Sequence, residues 1–236
     1  SPAVRAVAQL SKKQRRIDAR LFLVEGPQAT REALVFRPEL IEDIFLTTSA
    51  AERNADLVAL AEAAGCSLTL ATDAVIEAMA DTVTPQGVLA VARYLEVDLE
   101  SVVSQGVSHV VVLHQVKDPG NVGNIIRTAD AAGVDAVVVT AESVDVFNPK
   151  VVRASTGSIF HIPVVTGVEL RPTISALTEA GLTIFAADAG GKNLGDVRAE
   201  GGLHGPLAWL LGNEAHGLAP EDEALADTIV SVPMFG

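Results

Sequence analysis

Cysteine is nearly absent: Cys66 is the single one. No internal disulfide can form, and with no histidine partner nearby it reads as a small buried hydrophobe. The five histidines, at positions 109, 114, 161, 204 and 216, show no ligand spacing, so no metal is expected. No apolar run reaches the length of a membrane span, and the N-terminus lacks the basic start, apolar stretch and cleavage pattern of a secretory signal, which points to a cytoplasmic chain. No G-x-G-x-x-G and no Gly-Lys-Ser/Thr occurs, which argues against a dinucleotide fold and a P-loop. Aromatic residues are scarce, with Trp209 and Tyr94 alone of their kinds.

Positive charge is also short overall, the net charge being -13. Taken as an average, this argues against a polyanionic partner. The distribution is uneven, however. Residues 1–37 hold eight Lys/Arg against three acids, a local balance of +5, and the remaining 199 residues carry -18. An acidic body with a basic N-terminal end suits one local contact with a polyanion.

What the chain does have is the stretch from Asp118 to Gly133, behind the apolar run His109 to Val116. The run reads as a buried strand, Asp118-Pro119-Gly120-Asn121 as turn chemistry, and Val122 onward as a helix closed by Gly133. A helix N-terminus is then exposed for binding, with Arg127 about a turn and a half in and able to lean back over the loop. A guanidinium and a carboxamide facing one opening suit a phosphate or ribose. By itself the stretch is read equally well as an ordinary βα junction with a surface arginine.

Strands and helices alternate through the rest, which predicts two α/β modules, 1–94 and 107–236, joined by a linker over 95–106. In the first, Gln9 to Arg20 reads as a helix with Lys12, Arg16 and Arg20 on one face, a basic ridge or simply a solvated face. Asp73 is expected to cap a helix over 74–80. In the second, Asn148-Pro149 opens a helix through Arg153, and Phe160 to Val165 reads as extended. Asp188 to Lys192 forms a loop at a strand's carboxyl end, where open α/β sheets bind ligands.

Three stretches in order, Asn121-x-Gly-x-x-x-Arg127-Thr-Ala-Asp-Ala, Leu211-Gly-Asn-Glu-x-x-Gly-Leu218 and Val232-Pro-Met-x-Gly236, closely resemble the SpoU (TrmH-like) branch of the SPOUT RNA methyltransferases. Arg153-Ala-Ser-Thr-Gly157 with Phe160 and Pro163 is similar too. The resemblance covers about residues 107–236, the third motif being cut at Gly236, and the first 95 residues look like the family's substrate-binding module.

The resemblance implies an α/β fold with a mainly parallel sheet and a trefoil knot, preceded by a small α/β domain similar to a ribosomal protein. It implies S-adenosylmethionine as cofactor, held by Ala187, Asp188, Leu211, Gly212, Asn213, Gly217, Val232, Met234 and Gly236. It implies a homodimer, with the arginine of one subunit near the cofactor of the other. The reaction would be methyl transfer to a ribose 2′-hydroxyl. Glycines at 212 and 217 let backbone approach a ligand, and Val232 and Met234 offer apolar walls.

Arg127, Asn121 and Glu214 would be the catalytic set. Arginine is a poor base, so Arg127 is read as binding the target phosphate or ribose and easing alkoxide formation. Asn121 would hold the loop or orient Arg127, and Glu214 would order the loop through backbone N–H groups or position the arginine. Lys12, Lys13, Arg16, Arg20 and Arg153 would contact RNA, through backbone and shape given the scarcity of aromatics. The two-module layout leans toward ribosomal RNA. A transfer-RNA methyltransferase and a catalytically silent RNA-binding or ribosome-assembly protein are the alternatives.

Overall fold

The computed structural model describes residues 1–233. The chain divides into two compact units. One comprises 1–95 with 123–127 and 145–161, and the other comprises 96–122, 128–144 and the chain from 162 onward. Among the described residues, no helix is long and apolar enough to cross a membrane.

In chain order, the first part holds α1 (Pro2–Ala8), α2 (Lys13–Ala19), β1 (Leu21–Glu25), α3 (Pro27–Phe36), β2 (Ile41–Leu46) and α4 (Thr48–Arg53). It continues with α5 (Ala55–Ala63), β3 (Ser67–Leu70), α6 (Asp73–Met79) and β4 (Val88–Arg93). Its sheet runs β1-β4-β2-β3, antiparallel except where β3 joins β2. Leu23, Leu89 and Val91 pack with Leu10, Ile76 and Met79 to form one core cluster. Phe22 gathers Tyr94, Phe147 and Phe160, with ring centroids 4.9 to 6.3 Å from its own.

The remainder holds α7 (Leu99–Ser104), β5 (His109–Leu113), α8 (Pro119–Ala131), β6 (Ala136–Thr140), α9 (Pro149–Ser155) and β7 (Val164–Val168). After these come α10 (Leu170–Glu179), β8 (Thr183–Asn193), α11 (Leu194–Ala199), β9 (Leu207–Leu211), α12 (Pro220–Glu223) and β10 (Thr228–Ser231). Six parallel strands pair in the order β10-β8-β9-β5-β6-β7. Strands buried on both faces have to be apolar throughout, and the runs Val110–Leu113 and Ala136–Thr140 are fully buried. Chain order reverses direction across the sheet at β5 and β9, so their carboxyl ends form a switch point where ligands bind in such folds.

Several expectations change. The stretch read as a linker contains α7, capped by the Asp98 side chain accepting from Ser101 N–H, and Val102 joins the core of the second unit. Asp73 is the first residue of α6 and does not cap it; Thr72 holds the cap position without a side-chain bond. Ser158–Phe160 is a 3-10 turn, and the extended segment begins at Val164. Asp188–Lys192 is not a loop beyond β8 but part of it, with a break in pairing: Ile229 sits opposite Ala186 and Val230 opposite Lys192. Residues 187–191 are thus looped out of the ladder with β10, while Ala187 stays paired with Leu211 of β9.

The basic ridge also dissolves. A 3-10 turn at Gln9–Ser11 leaves Lys12 extended, α2 starts at Lys13, and Arg20 ends it in the left-handed region at φ 57°. Arg16 turns inward and is 2% exposed. Its guanidinium donates to Asp145 Oδ2 at 2.6 and 3.2 Å and to the carbonyls of Leu10 and Ser11 at 2.9 and 2.8 Å. Such a donor fork suits a closed, multi-acceptor site.

Candidate active site

The sequence Asp118-Pro119 starts α8 rather than a turn before it. Asp118 Oδ1 accepts from Asn121 N–H at 2.9 Å, and proline at the first helical position has no N–H to lose. The helix therefore begins three residues earlier than the turn chemistry implies. Arg127 lies eight residues beyond Pro119, roughly 12 Å along the axis at 1.5 Å per residue. That places it past two turns, farther down the helix than the turn and a half expected. Its side chain is exposed, and no described residue pairs with it.

The helix N-terminus is not an open anion seat either. Glu214 occupies it: Oε1 accepts from Asp118 N–H at 3.0 Å and from the Asn121 carboxamide at 3.3 Å, and Oε2 accepts from Lys117 N–H at 3.3 Å. A carboxylate there is favoured by the helix dipole. Burial pushes the Glu214 carboxyl up, but hydrogen bonds from its own backbone and from Asp118, Lys117 and Asn121 outweigh that and hold it below its usual value. Asn121 thus serves Glu214, and its orienting partner is this carboxylate.

The segment after β9 closes on itself as a tight loop. Asn213 and Gly217 exchange backbone bonds at 3.0 and 2.9 Å, and the Asn213 carboxamide donates to Gln115 O at 2.9 Å while accepting from Ala215 and His216 N–H. Two glycines are required here. A Cβ on Gly212 would lie 2.7 Å from the Gly217 carbonyl, and one on Gly217, at φ 66°, would lie 2.5 Å from Asp188 Oδ2. Asp188 belongs to the looped-out segment of β8, so structure brings that loop, the 212–217 loop and the β5–α8 connection together. Gly191 is fixed by another close approach: its Cβ would sit 2.5 Å from Val230 N.

A cavity of about 600 Å³ adjoins this region, lined by Gly190, Gly191, Lys192, Pro220, Glu223 and Ile229 among others. The first loop contributes to its wall; Leu211 to Gly217 do not. Ala187 and Asp188 are half-buried, Leu211 is half-buried at the end of β9, and Val232 is exposed. Met234 and Gly236 lie outside the described residues.

The RNA-contact candidates separate. Lys12 and Lys13 are exposed, as is Arg15, which the ridge does not include. Arg20 places its guanidinium 4.9 Å from the Tyr94 ring. Arg16 is buried on Asp145 and cannot reach a ligand. Arg153 is half-buried and bonded to Glu25 at 3.2 Å and Asp81 at 3.0 Å, so it ties a loop and does not stand open to a ligand. Sequence reading also misses Gln115, at φ 55°, and the Lys117 and Asp118 amides. The Asp-Pro pair is a usable helix-start signal; nothing local marks Gln115.

Comparison with known proteins gives a consistent picture. The model of the SpoU rRNA Methylase family matches residues 108–236. The model described as RNA 2'-O ribose methyltransferase substrate binding matches residues 23–97. A 23S rRNA (guanosine(2553)-2'-O)-methyltransferase from Bacillus subtilis is 31% identical over 97% of this chain and 86% of its own length. A 23S rRNA (guanosine-2'-O-)-methyltransferase from Nitrosomonas europaea is 34% identical over 89% of this chain and 82% of its own. The structure of an AdoMet-bound rRNA methyltransferase from Sinorhizobium meliloti superposes with a TM-score of 0.84 at 29% identity, covering 100% of this chain and 87% of that one.

Proposed function

Because the chain belongs to the SpoU rRNA methylase family, we propose that it transfers the methyl group of S-adenosylmethionine to a ribose 2′-hydroxyl of RNA, with ribosomal RNA as the favoured substrate. The observation that carries this reading is the convergence of the carboxyl ends of β5 and β9 with the pairing break in the middle of β8. There Glu214 joins the Lys117–Asn121 segment, and Gly217 meets Asp188.

The residues present fit the cofactor. A cavity of about 600 Å³ is within the size range of small-molecule sites. Its wall combines Lys192 with Glu223, so both signs of charge are on offer to a ligand carrying a sulfonium, an ammonium and a carboxylate. Gly190 and Gly191 would hold it in this cavity, and Ala187, Asp188, the loop from Leu211 to Gly217 and the residues from Val232 onward, none of which lines the cavity, would close on it from beside. When bound, S-adenosylmethionine supplies a methyl on a sulfonium, ready for in-line displacement.

The chain's own residues do the rest. Arg127 binds the target phosphate or ribose and favours the alkoxide over the hydroxyl as the proton leaves. Glu214 and Asn121 hold the β5–α8 connection in the shape the transfer requires. The position of Arg127 past the second turn supports a homodimer in which it serves the partner's cofactor. A trefoil knot belongs to the same reading, supported by the five-residue break in the pairing of β8 with β10 and the close approach of Gly191 to Ile229 and Val230. Lys12, Lys13 and Arg15, exposed and without ion pairs among the described residues, would bind RNA phosphates in the cytoplasm.

Calorimetric titration with S-adenosylmethionine and, separately, NAD tests the cofactor assignment. Saturable heat with the first and none with the second is expected. Binding of NAD alone would overturn it.

A further inference from the structure

Among the described residues, His114 is the one buried histidine of the candidate active-site unit, 4% exposed, and no step of the transfer uses it. It follows β5 directly. Its backbone N–H donates to Leu211 O at 2.9 Å, the end of β9. Its Nδ1 lies 3.1 Å from Thr140 Oγ1 at the end of β6, and its Nε2 lies 3.2 Å from Asp222 Oδ2 in α12. One residue therefore links the carboxyl ends of three adjacent strands, through its backbone to β9 and its imidazole to β6, and the same ring reaches the short helix that follows the 212–217 loop. Ser143 extends the cluster, its hydroxyl donating to Leu113 O at 3.3 Å and accepting from Val116 N–H at 3.2 Å.

Two neighbours give this cluster a functional address. The residues after His114 carry the loop contacts: Gln115 O accepts from Asn213, and the Lys117 and Asp118 amides donate to Glu214. On the other side, α12 contributes Pro220 and Glu223 to the wall of the 600 Å³ cavity. α12 is a single turn with no side-chain cap and no buried residue, so its own hydrogen bonds do little to fix it. Leu218 and Leu225 in the core and Asp227 on Ile184 hold the chain on either side of it, and among the described residues the contact of Asp222 with His114 is the side-chain bond that the helix itself makes.

We propose that His114 is a positioning residue for cofactor binding: by donating from Nε2 to the Asp222 carboxylate, it holds α12 as the cavity wall in register with the 212–217 loop. Thr140 fixes the ring by bonding Nδ1, whichever way its hydroxyl points. The inference rests on the cofactor reading above, and its test separates the two.

The test compares wild type with His114→Leu, His114→Gln, Asp222→Leu and the His114→Leu/Asp222→Leu pair. Each is assayed for S-adenosylmethionine affinity by calorimetry, for KM against kcat in methyl transfer, and for folding by circular dichroism. Gln keeps a donor near the Nε2 position and should restore most of the affinity. His114→Leu should weaken cofactor binding and raise its KM about ten-fold with kcat nearly kept, the size of one missing charge-assisted bond. Asp222→Leu should do the same, and the pair should be no worse than either alone. Unchanged cofactor affinity in folded His114→Leu, or effects of the two changes that simply add, overturns the proposal. If His114→Leu does not fold, the Gln variant and Asp222→Leu decide it, since an unchanged affinity in Asp222→Leu is equally fatal. Failure of the wild type to bind the cofactor at all would instead sink the cofactor reading.

Discussion

Glu214 sits across the start of α8 so that both its oxygens accept backbone N–H bonds, from Asp118 at 3.0 Å and Lys117 at 3.3 Å. Two segments 96 residues apart are joined by one carboxylate. The pairing makes Glu214 a structural clamp on the connection between β5 and α8.

The clamp has a pH signature. Glu214 has a folded pKa below its unfolded value, so its contribution is complete above the usual carboxylate range and is lost as pH falls through the lowered folded value. Hydrogen exchange at Lys117 and Asp118 measured from neutral to acidic pH should show protection failing at the acid end. In Glu214→Gln the protection should be weaker at neutral pH and change less with acidification. Equal acid profiles in the two proteins would remove the clamp.

Charge at the N-terminal end should divide by burial. Arg16→Ala strands Asp145 and should cost about 3 to 5 kcal/mol of stability, seen in urea denaturation. Neutralising Lys12, Lys13 and Arg15 together should leave stability within about 0.5 kcal/mol. The same triple change should weaken RNA binding and flatten its salt slope by roughly 0.7 for each single-stranded phosphate no longer neutralised. A salt slope untouched by the triple change would take this surface out of RNA binding.

Gly123 is a steric test of how α8 meets α9. A Cβ there would lie 2.5 Å from Ala154 Cβ and 2.6 Å from Val151 O, and the carbonyl cannot rotate away. Gly123→Ala should therefore destabilise by about 1 to 3 kcal/mol, against the stabilisation alanine gives in an open helix interior. Thermal denaturation reads the sign directly.

Arg127→Ala should abolish transfer and leave cofactor affinity nearly intact. Mixed with a cofactor-loop variant such as Gly212→Val, it should regain about a quarter of wild-type activity through mixed dimers carrying one intact site. No recovery on mixing, with dimers verified by sedimentation, would place Arg127 with its own chain's cofactor.

Much of the second sheet is legible in the sequence because strands buried on both faces must be apolar throughout, and Val110–Leu113 and Ala136–Val139 are apolar runs of this kind, while Leu207–Leu211 is apolar throughout but buried only at Ala208 and Leu210. The glycines of the 212–217 loop are legible because close backbone approach leaves no other residue possible. Arg16 is not: its i, i+4, i+8 pattern with Lys12 and Arg20 assumes an unbroken helix, and its partner Asp145 lies 129 residues away. The start of α8 is ambiguous in sequence because Asp-Pro-Gly-Asn serves equally as a turn and as a capped first turn. Glu214 admits two roles on sequence alone, and its bonds from Lys117 and Asp118 select the loop-ordering one. The detour in β8 has no local signature, since it depends on how β10 pairs across it.

Methyl transfer to a ribose is the chemistry at stake, and one assay reads it. Protein is incubated with S-adenosylmethionine labelled on the methyl group and with ribosomal or transfer RNA, and the recovered RNA is digested to nucleosides. Label in a 2′-O-methyl nucleoside, from ribosomal RNA and not from transfer RNA, is the expected result. Label on a base instead, or none on either RNA from a protein that binds the cofactor, would contradict it.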